Sequence, residues 1–352
     1  MTKRTALIAG ASGAIGGALA VHLSKAPDWK VLGLCRRSPG SALPGVDYVH
    51  VDMSDTETCR DALQPHAGVT HLFYCARAAH DDLGRESVQK NLELLSNVLD
   101  AIKAVSPALN HVHLVQGGKY YGVHVGPFPT PAREDDTRNV VSNFNYAQED
   151  LLRERSTRMN FSWSASRPNT LLHFSPHNSR NLVSTLGAYA AICREIGIAL
   201  DFPGPQGAFT SITQLTSTDL LSRAISWMAT EDRAANQAFN VANGDLIRWC
   251  HFWPKLADAF QIPCGCVRPM NLTDVMADKE PVWQRIVERH GLVTQPLASL
   301  AHWPFADATL ERTWDEILST MKARQFGFHD LADSEATFLD LLHRYRVAKL
   351  LP

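Results

Sequence analysis

The sequence lacks an excess of basic charge: 34 Lys and Arg stand against 36 Asp and Glu, a formal net charge of −2. A chain built to bind nucleic acid would carry a basic surplus for the phosphates, so that class is excluded. It also lacks any run of about 18 apolar residues, the length needed to cross a bilayer. The start, Met1-Thr2-Lys3-Arg4 and then an apolar stretch, imitates a secretory leader. Gly10, Ser12, Gly13, Gly16 and Gly17 interrupt the imitation, and the segment reads as strand, turn and helix. Paired cysteines are missing too. The seven cysteines are odd in number and scattered, and Cys264-Gly265-Cys266 is the one close pair. That pattern makes neither a disulfide framework nor a metal site, and a reducing, cytoplasmic compartment is expected. Repeats and low-complexity tracts are absent. What is present is a 352-residue chain, 45% hydrophobic and 20% charged, with enough apolar content to fold into a sizeable core.

Residues 5–9 form a short apolar run that stops at glycine, the pattern of a strand buried on both faces of a parallel sheet. The pattern recurs at 31–34, 49–51, 71–74 and 111–115, and 161–168 adds a sixth strand. Helical spacing occupies 15–23 and 87–104, the latter with Leu92, Leu95, Val98, Leu99 and Ile102 on one face. Strands alternating with helices predict an α/β fold with a doubly wound parallel sheet. Beyond Pro168 the rhythm loosens into a helix at 182–196, a strand at 237–242 and several Trp-containing helices. The expected division is a cofactor-binding Rossmann domain over 1–170, with return segments between 210 and 245. A smaller, mainly helical substrate lobe is expected over 171–352.

Gly10-Ala-Ser-Gly13-Ala-Ile-Gly16 lies at the end of the first strand and opens a helix. Glycine is needed where a tight turn lets the backbone approach a pyrophosphate, and the helix start supplies free N–H groups. The Gly-x-x-Gly-x-x-Gly spacing is the one typical of short-chain dehydrogenases. The expected cofactor contacts here are Gly10, Ser12, Gly13, Ala14, Ile15 and Gly16. Arg36-Arg37 follows the second strand, where a protein preferring NAD would place a carboxylate on the ribose. Two guanidinium groups suit a 2′-phosphate instead, so NADP(H) is the expected cofactor. Asp52, beside Met53 at the end of the third strand, is read either as an acceptor for the adenine amino group or as a helix N-cap.

Short-chain dehydrogenases usually carry Tyr-x-x-x-Lys. Here Tyr146-Ala-Gln-Glu-Asp150 has aspartate in the lysine position, and a carboxylate cannot lower a phenol's pKa as an ammonium would. Lys119, just past the fifth strand, is the candidate replacement.

Gln116-Gly-Gly-Lys119-Tyr-Tyr-Gly122 and Asn143-Phe-Asn-Tyr146-Ala-Gln-Glu-Asp150 resemble the progesterone 5β-reductase and iridoid synthase family of atypical, extended short-chain dehydrogenases. The resemblance runs through Arg36-Arg37, Phe73-Tyr74, Arg167-Pro-Asn-Thr170 and Ala238-Phe-Asn-Val-Ala-Asn-Gly-Asp245, nearly the whole chain. It implies NADPH-dependent 1,4-reduction of the C=C of an enone or enal, 3-oxo-Δ4-steroids among them. Tyr146 would hydrogen-bond the enolate oxygen and Lys119 would assist. Tyr146, Pro168 and Asn169 would complete the cofactor site. Arg77, Tyr121, Phe128 and Phe338 would line the substrate pocket.

The chain departs from the family at Asn145, often tyrosine, and at Arg77, tryptophan in plant members. Residues 123–134 have the form associated with microbial members. Arg77 either faces the pocket and favours a polar or anionic substrate, or points to solvent over a packed stem. Phe338 closes over the pocket or simply packs. The expected partners are a small-molecule substrate and, at most, a second copy of the chain in a homodimer; neither nucleic acid, membrane nor metal is expected. Two rivals stay open: a carbonyl reductase or sugar-nucleotide epimerase on the same fold, and a non-catalytic NADP-binding sensor.

Overall fold

The computed structural model describes residues 3–36, 42–80, 86–176 and 178–352, so the expectation for Arg37 lies outside the described residues. Six strands come in the first half: β1 (Arg4–Ala9), β2 (Trp29–Cys35), β3 (Val46–His50), β4 (His71–Tyr74), β5 (His111–Val115) and β6 (Ser162–Pro168). Three short ones follow, β7 (Thr170–Leu172), β8 (Leu200–Phe202) and β9 (Leu215–Ser217), then β10 (Gln237–Val241) and β11 (Cys264–Val267). Seven strands make one sheet in the order β10-β6-β5-β4-β1-β2-β3, with every neighbouring pair parallel. This is the doubly wound Rossmann sheet that the alternating apolar runs predict. The strand order reverses between β1 and β4, which opens a crevice at the carboxyl ends of the strands. The third strand begins three residues earlier than the sequence suggests. It is an edge strand, and only Val46 in it is fully buried, so its apolar signal is diluted.

Helices α1 (Ala14–Ser24), α2 (Thr56–Leu63), α3 (Val88–Val105) and α4 (Phe144–Met159) cover the sheet. Ser87 caps α3 by accepting from the Lys90 N–H at 3.2 Å. Leu95, Val98, Leu99 and Ile102 of α3 then pack on Leu72, Val112 and Leu114 of β4 and β5. On the opposite face, His111 and His113 project from β5 towards β6, as the two-residue spacing requires. Their rings form a continuous hydrogen-bonded chain with three serines. His111 meets Ser162 and Ser164 at 2.8 Å each, and His113 meets Ser164 at 2.8 Å and Ser166 at 3.0 Å.

The second core is built round helix α5 (Leu182–Glu195), buried at every position from Leu182 to Cys193. Trp253, Trp283, Phe338 and Tyr345 surround it. The two fully buried tryptophans satisfy their indole N–H groups on the carbonyls of Leu200 (2.9 Å) and Gln295 (3.2 Å). Two short parallel pairs, β7 with β9 and β8 with β11, edge this lobe. The chain returns to the sheet with the helix Thr218–Thr230, which packs on α1, and with β10. It returns again at 321–328, where Ala323, Phe326 and Phe328 cover Phe239 and Trp227. Among the described residues no helix is long and apolar enough to cross a membrane.

Candidate active site

The turn after β1 can be built only with glycine at two places. Gly10 sits at φ +82°, and a Cβ there would lie 2.9 Å from the Cα of Ala76 on the neighbouring β4 side. At Gly16 a Cβ would collide with the carbonyl oxygen of Gly10, so α1 approaches the turn as closely as backbone allows. Gly13 caps α1 without a side chain, and no acidic residue occupies the first turn. No side chain of the turn therefore competes for the positive end of the helix, beside Ser12, Ala14 and Ile15, and the cradle fits a pyrophosphate.

Arg36 is exposed immediately past β2. Hydrogen bonds from Ser54, first its backbone N–H at 3.0 Å and then its side chain, hold the Asp52 carboxyl below the usual range, and Arg36 lies close enough to help. Asp52 is not the helix cap: Asp55 caps α2, accepting from the N–H groups of Glu57 and Thr58 at 3.2 Å each. Met53 is buried, and its carbonyl accepts from Asn97 at 3.0 Å.

At the far end of the crevice β5 runs into a short 3-10 turn, Gly118–Tyr121. Asn143, the cap of α4, accepts from the Asn145 N–H at 3.0 Å while its amide donates to the Lys119 carbonyl at 2.7 Å. That double bond locks the Lys119 turn to the start of the helix carrying Tyr146. The Tyr146 hydroxyl donates to the Tyr120 carbonyl (2.5 Å) and accepts from the Asn139 N–H (2.9 Å). Its ring meets Tyr120 edge-on at 4.9 Å, with the Arg138 guanidinium 5.0 Å from its centre. Burial pushes the phenol pKa up, so it is a neutral donor at physiological pH. The Lys119 ammonium bonds Glu86 at 2.9 Å, and burial lowers its pKa against the pull of that carboxylate. Tyr146 and Lys119 thus share one local framework while each polar tip holds a different partner.

Asp150, in the usual lysine position, points outward and takes both arms of Arg138 at 2.7 Å. The residue facing inward one turn along α4 is Glu149. It pairs with Arg167 at 3.0 Å, both side chains being 1% exposed, and also accepts from Gln116 at 3.0 Å. Arg167 further donates to Gln116 (2.9 Å), the Tyr121 hydroxyl (3.0 Å) and the Glu134 carbonyl (3.0 Å), and stacks 3.3 Å from the centre of the Tyr120 ring. Tyr121 is therefore a member of this buried network, its hydroxyl donating to Asn240 at 2.6 Å. Asn145 is buried beside it, and its side-chain oxygen has no partner among the described residues.

Phe128 packs with Tyr120, Tyr121 and Tyr146. Pro168 ends β6 and Asn169 follows, bonded to Thr216 (3.1 Å) and to the Glu316 carbonyl (3.3 Å). Phe338 is brought to no part of the crevice. It is fully buried in the second lobe against Phe252, at 4.9 Å, so packing is its role here. Arg77 is held at the crevice by Glu86 at 2.8 Å. The sequence reading missed Glu86, Arg138, Asn139 and Arg180, all in connecting segments where no periodicity marks them.

Fold and glycine turn together define an extended short-chain dehydrogenase/reductase. A UDP-glucose 4-epimerase of Thermus thermophilus, solved in complex with NAD, shares the fold with a TM-score of 0.68 at 16% identity, covering 98% of this chain and 99% of that one. The chain belongs to the PRISE-like Rossmann-fold domain family, which it matches over residues 41–352. Two relatives span essentially all of it. An (S)-8-oxocitronellyl enol synthase of Nepeta racemosa is 38% identical, covering 99% of this chain and 91% of the relative. A 3-oxo-Δ4,5-steroid 5β-reductase of Arabidopsis thaliana is 36% identical, covering 99% and 94%. The family resemblance drawn from the Lys119 and Tyr146 motifs holds, and the chain is an oxidoreductase.

Proposed function

We propose that the protein is an NADPH-dependent ene-reductase that adds hydride to the β-carbon of an α,β-unsaturated carbonyl compound. One observation carries the reading: a neutral phenol, Tyr146, is hydrogen-bonded to the turn that carries Lys119, while the lysine position of an ordinary short-chain dehydrogenase holds the outward-facing Asp150. The relatives' names, an enol synthase and a Δ4,5-steroid reductase, support the same chemistry.

The glycine turn and the α1 N-terminus would hold the pyrophosphate, Arg36 the 2′-phosphate, and Pro168 and Asn169 the nicotinamide end. When bound, the reduced nicotinamide supplies the hydride. As hydride reaches the β-carbon, the C=C electrons move towards the carbonyl and charge gathers on its oxygen. Tyr146 stabilises that charge by turning its O–H away from the Tyr120 carbonyl about the C–O bond, with the ring left in place. The interaction exists mainly in the transition state, which is what raises rate. Lys119 adds positive field beside the phenol, and solvent protonates the α-carbon.

The test is NADPH oxidation with 2-cyclohexen-1-one and with progesterone, products identified by mass, in wild type and Tyr146→Phe. Loss of the donor should lower kcat by about 10²–10³ while the product remains a saturated ketone. An alcohol or an epimer as product would overturn the reaction assigned, and undiminished turnover in the variant would overturn the role of Tyr146.

A further inference from the structure

The crevice wall beyond the carboxyl ends of β4 and β5 is crowded with cations. Among the described residues Glu86 alone answers Arg77 at 2.8 Å, Lys119 at 2.9 Å and, when protonated, His80 at 3.6 Å. Arg180 faces the same group from the second lobe and forms no ion pair among the described residues; its guanidinium stacks 4.8 Å from the ring centre of Phe305. Its place is fixed by the next residue. Asn181 caps α5 and donates to the His173 carbonyl (2.9 Å) and the Tyr345 hydroxyl (2.7 Å), all within the core. The Arg180 backbone is therefore anchored beside this core, and its guanidinium rests on Phe305.

The electrostatics agree with the geometry. Burial first, then Arg77 and Arg312, pull the Arg180 pKa below its ordinary value, and Glu86 opposes them. Lys119 feels both Arg77 and Arg180, and so does His80. Arg312 is compensated by Glu316, which takes it with both oxygens at 2.9 Å. Arg180 has no such counterpart among the described residues. A half-buried guanidinium without a counter-ion is costly, and the arrival of an anion relieves that cost.

We propose that Arg180, with Arg77 beside it, forms an oxyanion-binding subsite, and that the enone or enal reduced here carries a carboxylate away from its reacting carbonyl. The inference rests on the ene-reductase reading for its reaction, but not for its binding. A planar guanidinium receives a carboxylate through two parallel hydrogen bonds and so fixes which end of the substrate enters first. Glu86 holds Arg77 and Lys119 in the meantime. The sequence offers this choice at Arg77 alone; Arg180 settles it towards an anion.

The experiment uses two matched pairs that differ only in charge. The substrates are (E)-4-oxopent-2-enoate and its methyl ester, both enones; the products, 4-oxopentanoate and its methyl ester, serve as binding probes. Calorimetry on the full chain with NADP+ present measures binding in wild type, Arg180→Gln and Arg180→Lys. Wild type should bind the carboxylate at least tenfold more tightly than the ester at low salt, with the preference shrinking as salt rises. The glutamine variant should bring the ratio towards one and the lysine variant should keep part of it.

Equal affinity for acid and ester in wild type, or an unchanged ratio in Arg180→Gln, overturns the subsite. A loss of NADP+ affinity in that variant, with the carboxylate preference intact, would assign the arginine to the cofactor's phosphates and overturn it too. Turnover of the two enones reports separately on the reaction. Carboxylate binding through Arg180 without reduction of either enone supports the subsite and counts against the reductase reading.

Discussion

Moving the protein from pH 7.5 to pH 5 should remove much of its stability, because three histidines in the sheet have nothing to pair with once charged. Burial lowers the pKa of His113 to about 3 and of His71 to about 4, and drives that of His111 well below the usual value. The His111 and His113 ring nitrogens meet only serine hydroxyls. In the unfolded chain each imidazole titrates near 6.5, so below that pH the unfolded state binds protons that the folded state refuses. Their contribution is complete above about pH 6.5 and is lost as pH falls towards 3–4. At pH 5, about 1.5 units below the unfolded value and about 1.36 kcal/mol per unit, His113 and His71 each cost ~2 kcal/mol, and His111 adds to the loss in the same direction. Domains are typically stable by only about 5–15 kcal/mol. Urea unfolding followed by tryptophan fluorescence at pH 7.5, 6.5, 5.5 and 5 reads this directly. His113, His71 and His173, whose pKa burial also lowers to about 4, together give a slope near 4 kcal/mol per unit between pH 6 and 5, with His111 adding to it, and His113→Gln should reduce it by about 1.4. Glu134 and Glu316, whose carboxyls burial pushes up, act with the opposite sign, so the difference between the two proteins is the informative quantity. Constant wild-type stability from pH 7.5 to 5, or an identical slope in the variant, would refute the reasoning.

Two further outcomes follow from the site. Glu149→Gln leaves Arg167 buried without its counter-ion and should cost about 3–5 kcal/mol, seen as a lower urea midpoint; an unchanged midpoint would mean that Gln116 and Tyr121 suffice. Arg36→Ala should weaken NADPH about tenfold in a fluorescence titration with little effect on NADH, and an equal effect on both would move the 2′-phosphate elsewhere.

The parallel sheet was legible because its central strands are buried on both faces and therefore read as unbroken apolar runs. The glycine turn was legible because its backbone geometry excludes every other residue at Gly10 and Gly16. The strands β7, β8 and β9 were not: three residues are too few to show a period. Asp52 and Asp55 are chemically alike, and only the helix start at Thr56 decides which one caps. Phe338 carries the helical spacing of a lid and of a core equally well, and burial against Phe252 separates the two. Arg180 left no trace in the sequence, since its meaning lies in which charges surround it across two lobes.

Arg167 gathers Gln116, Tyr121, Glu134 and Glu149 onto one guanidinium and lies flat on Tyr120, whose carbonyl holds the Tyr146 hydroxyl. The position of the proposed donor is thus inherited from four separate stretches of chain. Transplanting the tyrosine and lysine onto another Rossmann scaffold would carry over the reactive groups but not their alignment. A working graft has to bring the arginine and everything it grips.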